Sequence, residues 1–142
     1  MIKEACIFIA MHLPGGSIAA QEAKIAELDA QGCRIEIHGE CLSSCTMFLG
    51  ARDVCVHPRA MLGFHSSRGG HFGGLITRPS PWPVQDEWDR RMAAYYPPAL
   101  QRWFLEDVRH RGFHEWAWVS GREIARHGIA TCENPPPPPL TP

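Results

Sequence analysis

Apolar residues along this chain alternate between two rhythms. The run "ACIFIAMHL" (Ala5 to Leu13) is continuous and short, the signature of a buried strand. A turn, "LPGGS", follows it. Next, "SIAAQEAKIAELDAQG" carries Ile18, Ile25 and Leu28 on one helical side, with Ser17 placed to cap the start and Gly32 to end it. In "CRIEIH", Cys33, Ile35 and Ile37 alternate with Arg34, Glu36 and His38, the period of a half-buried strand. Gly39 predicts a turn. After it, Ser43 or Ser44 opens an apolar helix that stops near Gly50, and "DVCVHPRAMLGFH" splits into two strand-like runs around Pro58.

The glycine- and proline-rich stretch from Ser66 to Pro83 predicts a long surface loop, of the kind that covers sites as a lid. Helical spacing returns from Val84 through Trp88, Met92 and Tyr95/Tyr96. It breaks at Pro97-Pro98 and resumes through Leu100, Trp103, Phe104 and Val108. "SGRE" (Ser120 to Glu123) has the form of a capping box before a short helix closed by Gly128, and "IAT" predicts a last strand. Strands alternating with helices predict an α/β domain over residues 1–133, with residues 134–142 ("NPPPPPLTP") as an extended proline-rich tail.

Composition narrows the function classes. The chain has 142 residues, 44% of them hydrophobic, enough for one domain with its own core. With 14 basic and 15 acidic side chains, and no basic cluster, nothing suggests nucleic acid as a partner. No apolar run reaches the ~20 residues of a membrane span. The first apolar run lacks the flanks of a secretion signal, so no signal peptide is visible. The six cysteines leave three readings open: disulfides, buried thiols, or metal ligands. Zinc is the weakest of these, because Cys41-x3-Cys45 has no second paired motif. His12, His38 and His57 read as ordinary surface or core residues, and His71 in the glycine-rich loop is the one histidine to watch.

Three features hold candidate chemistry. "PGG" after a strand lets the backbone turn sharply and leaves an amide able to bind an oxyanion, although such a turn is usually only a turn. A serine at a helix mouth is usually a cap, yet the same place sets a hydroxyl beside unused N–H groups. His65 closes the strand-like "PRAMLGFH", where an imidazole could take the serine proton.

Together, "IAMHLPGGSIAAQEAKIAEL", "GECLSSCTMFL", "PRAMLGFH" and "WVSGREIARHGIA" resemble, in this order, the ClpP/crotonase superfamily, and most closely its periplasmic ClpP-like serine peptidases. The resemblance implies a spiral of ββα units, here shortened at the N-terminus, and subunits that assemble as a homo-oligomer. It implies Ser43 as nucleophile, His65 as general base, and the amides of Gly16 and Ser44 as the oxyanion hole, with no cofactor and no metal. The substrate implied is a peptide or unfolded protein, and the compartment implied is the periplasm.

The family's acidic third member falls where this chain has Trp116. Glu115, one residue earlier, is the candidate carboxylate, with Asp86, Glu87 and Asp89 as rivals. Two other expectations stand beside the peptidase. One is a catalytically impaired scaffold of the same fold. The other is a crotonase-type enzyme acting on an acyl thioester, disfavoured by the Ser/His pair.

Overall fold

The computed structural model describes residues 5–67, 81–112 and 114–133. His71, most of the expected lid and the proline-rich tail lie outside the described residues. The chain is a mixed α/β structure of one sheet and several helices. Strand β1 (Ile7–Leu13) leads through helix α1 (Ile18–Ala30) to strand β2 (Arg34–Leu42), which runs parallel to β1 as a helical crossover requires. Ser17 caps α1 with its side chain, and Ile18, Ile25 and Leu28 are the residues the helix buries.

β2 is the centre of the sheet. β1 lies along one side, and two short parallel strands follow one another along the other: β3 (Val54–Val56) opposite Ile35–Ile37, and β4 (Met61–Phe64) opposite Glu40–Leu42. β5 (Ala117–Ser120) pairs antiparallel with β4, and β6 (Ala130–Thr131) pairs parallel with β3. One face of β2 packs Ile35, Ile37 and Cys41 into the core. That core is completed by α1, by residues 47–49, and by helices α2 (Trp82–Ala93) and α3 (Pro98–Glu106) through Met92, Leu100 and Phe104. Phe64, Tyr96 and Phe104 meet edge to face, with ring centroids 5.2 and 5.5 Å apart. A short helix α4 (Gly121–Ala125) is capped by Ser120. No helix among the described residues is long and apolar enough to cross a membrane.

Four local readings change. The "CRIEIH" strand is buried on both faces, with Glu36 and His38 only 5% and 0% exposed, because Cys132 and the His57 ring pack against them on the second face. It also runs on through Gly39 to Leu42, where a turn is expected. Gly39 adopts φ +60° there, and a Cβ on it would stand 2.7 Å from the His12 ring. His12 itself has φ +56° at the register shift in β1, so the pair forms a bulge that bends both strand ends together. The apolar segment after Leu42 is a 3-10 helix, Ser43–Gly50, in place of an α-helix. Finally, β5 has no counterpart in the sequence reading: four residues that alternate between buried and exposed are too few to register as a period.

All six cysteines are paired, as Cys6–Cys33, Cys41–Cys45 and Cys55–Cys132. Of the open readings, disulfides are the one realised. Cys41 lies in β2 and Cys45 in the 3-10 helix, so a chain reversal of four residues brings the two sulfurs together.

Candidate active site

The register of β2 and β4 makes the site. Leu42 stands opposite Gly63, so the residues just beyond each strand end, Ser43 and His65, emerge side by side. Ser43 Oγ and His65 Nε2 are 2.8 Å apart. Neither residue is placed there by local preference. Ser43 takes φ +52°, a left-handed conformation that a non-glycine residue adopts at a cost of order 1–3 kcal/mol. Capping does not explain it, because Leu42 is the residue before the first helical turn and no side chain caps that end. The hydroxyl therefore serves the imidazole instead of the helix. The tight turn between Cys41 and Cys45, closed by their disulfide, holds the backbone in this shape.

Beneath the turn, Thr46 is fully buried and its hydroxyl donates to the Ser43 carbonyl at 2.5 Å. The Tyr96 hydroxyl in turn donates to Thr46 at 2.6 Å, and burial pushes the Tyr96 phenol well above its ordinary pKa, keeping it a proton donor. Sequence reading misses this buttress, since Thr46 and Tyr96 are 50 residues apart.

The PGG loop closes the site from β1. Gly15, at φ +97°, lies so close that a Cβ there would meet the Leu42 carbonyl oxygen at 2.8 Å and Ser43 Cβ at 3.0 Å. Only glycine fits. Among the described residues no carbonyl takes the N–H of Gly16. The Ser44 N–H belongs to the first turn of the 3-10 helix, where amides have no partner within the helix. The loop thus packs on the serine turn, with the Gly15 position beside Ser43 and the Ser44 N.

The third position carries an aromatic ring. The Trp116 indole stacks on the His65 ring, with centroids 4.0 Å apart and planes inclined by 26°. This follows from β4–β5 pairing, which sets Ala117 opposite Phe64 and so Trp116 opposite His65. Glu115 is exposed and its carboxylate lies alongside Gly112. Of the rivals, Asp86 pairs with Arg109 and Arg90, which hold its carboxyl below the usual range, and Glu87 is exposed. Asp89 is fully buried and accepts the N–H of Ser67 at 2.7 Å, two residues beyond His65. Burial raises its carboxyl above the ordinary value, while the Ser67 N–H pulls the other way.

The chain matches no protein-family model and no curated protein.

Proposed function

We propose that the chain is a serine hydrolase, a ClpP-like peptidase, in which Ser43 attacks a peptide carbonyl and His65 accepts its proton. His65 then returns the proton to the leaving amine, and the amides of Gly16 and Ser44 receive the negative charge on the tetrahedral oxygen. The observation that carries the reading is the 2.8 Å Ser43–His65 hydrogen bond, made by a serine held in a left-handed conformation instead of capping the helix behind it. The order of the elements supports a ClpP/crotonase spiral: a crossover unit that carries PGG at its strand end, then the serine turn, then the histidine strand. Three disulfides suit an oxidising compartment such as the periplasm. One sheet face exposes Ile7, Ile9, Met61 and Trp118, at 38–48% each, and supports a homo-oligomer in which another copy covers it.

The indole behind His65 can steady an imidazolium through its ring face, but it accepts no hydrogen bond from the imidazole as a carboxylate would. That same feature favours a second reading, a scaffold that keeps the fold without turnover. Labelling with a fluorophosphonate probe separates the two. On the peptidase reading wild type and Ser44→Ala label and Ser43→Ala does not. No labelling of the folded wild type leaves the scaffold, and equal labelling of both variants removes the assignment of Ser43.

A further inference from the structure

On the opposite face of β2 lies a second polar group that the proposed hydrolysis does not use. Glu36 and His38 project from the face that Ile35 and Ile37 leave, and the register sets Cys55 opposite Glu36 and opposite Ala130. Cys132, two residues beyond Ala130, lies on the same face, and its N–H bonds the Val56 carbonyl. The site is closed: His38 is 0%, Glu36 5%, Cys55 0% and Cys132 5% exposed. His38 Nε2 is 3.0 Å from Glu36 Oε1, and His38 Nδ1 has no partner among the described residues. A buried ring nitrogen with nothing to bond is uncommon and points to a missing ligand. The donor atoms of Glu36, His38 and Cys132 lie within 4.8 Å of one another, and Cys55 Sγ is bonded to Cys132 Sγ.

We propose that reduction of the Cys55–Cys132 disulfide converts this cluster into a site for a zinc-class divalent cation, held by both thiolates, His38 and Glu36. A dithiol supplies two electrons and two protons to the disulfide and leaves as its own cyclic disulfide, and the two thiols then release their protons as they ligate the cation. Two sulfurs with an imidazole and a carboxylate form a tetrahedral donor set of the type zinc prefers, with ligand atoms about 3.3–3.8 Å apart. The donor atoms of Glu36, His38 and Cys132 need only to draw about 1 Å closer, and Cys55 Sγ to part from Cys132 Sγ and turn toward them, for an ion to sit among the four. The strands supply the geometry in either state, because Cys55 belongs to β3 and Cys132 follows β6, which are hydrogen-bonded neighbours. The ion would then replace the disulfide as the clasp between those strands. Cys41-x3-Cys45, the spacing that draws attention in the sequence, plays no part. The ligands come from positions 36, 38, 55 and 132, which only the sheet assembles.

The test is a cobalt(II) titration of the full chain, oxidised and after phosphine reduction under argon, with near-ultraviolet circular dichroism on the same samples. Reduced wild type should take up one cobalt per chain, with thiolate charge-transfer and tetrahedral visible bands, and release it to one equivalent of zinc. The oxidised protein should show neither band. Cys132→Ser should lose the charge-transfer band of the pair, and both His38→Gln and the isosteric Glu36→Gln should weaken binding at least tenfold. A Cys6→Ala/Cys33→Ala double variant should bind as wild type. The proposal is overturned if reduced wild type binds no cobalt, if His38→Gln and Glu36→Gln bind as wild type does, or if reduction abolishes the folded signal and metal does not restore it.

Discussion

Two histidines in this molecule each sit beside a disulfide, and their surroundings differ in kind. His65 stands just past a strand end, bonded to a serine whose backbone is forced into the left-handed region, next to a disulfide that closes four residues of chain. His38 stands mid-strand in regular backbone, bonded to Glu36, beside a disulfide that closes 77 residues. At the strand ends the sheet's hydrogen bonds run out, so amides, a hydroxyl and an imidazole are left to face a substrate. In the middle of the sheet the backbone is already satisfied and only side chains remain to bond one another. Location in the sheet therefore separates a place suited to chemistry on a carbonyl from one suited to clasping the fold.

Removing each disulfide in turn should expose that contrast. Cys55→Ala/Cys132→Ala should cost about 4–5 kcal/mol in denaturant unfolding, as expected from the chain entropy of a long loop. The labelling rate of the remaining folded protein should stay within about twofold of wild type, since a change below about 0.4 kcal/mol is expected at a distant site. If instead that variant stops labelling while folded, the two regions are coupled and the division is wrong. Cys41→Ala/Cys45→Ala should do the reverse. Its short loop stabilises by only about 2 kcal/mol, but relaxation of the Ser43 backbone should slow labelling about tenfold.

Tyr96→Phe sharpens the view of the nucleophile turn. Loss of the hydrogen bond to Thr46 should destabilise by about 1 kcal/mol and slow labelling a few-fold, and an unchanged rate would show that Thr46 holds Ser43 without help. The smallest effect concerns Asp89. Its carboxyl is raised in the folded state, so the folded protein holds a proton that the unfolded chain has lost, and stability declines as pH rises from about 3.8 through the folded value. Asp89→Asn keeps an oxygen for Ser67 N–H and should flatten that decline. The check is the unfolding free energy between pH 3.5 and 7 for both proteins, compared with the wild-type slope.

Much of this was legible from residue types alone. Apolar spacing located α1, the first half of β2, and α2 and α3 by the residues each buries, whereas β1, expected as a buried strand, buries only Ala10 and leaves Ile7 and Ile9 exposed, because it has a strand neighbour on one side alone. Ser43, His65 and the glycines stood out by residue type and order. The details that decide whether they act together were not local. The bulge at His12 and Gly39, the continuation of β2 to Leu42 and the pairing of β4 with β5 all depend on neighbours distant in the chain. The same holds for Trp116, whose place against His65 follows from an antiparallel register, and for Asp89, whose carboxylate reaches Ser67 from α2.

The sequence by itself determined which residues could carry chemistry and where most of the strands and helices would lie, because side-chain identity and hydrophobic spacing are properties of the chain over a few residues. Only the tertiary structure decided which of them meet. It set an imidazole 2.8 Å from one serine, an indole where a carboxylate was expected, and two cysteines 77 residues apart in one bond, because strand register joins positions at no separation that the chain itself records.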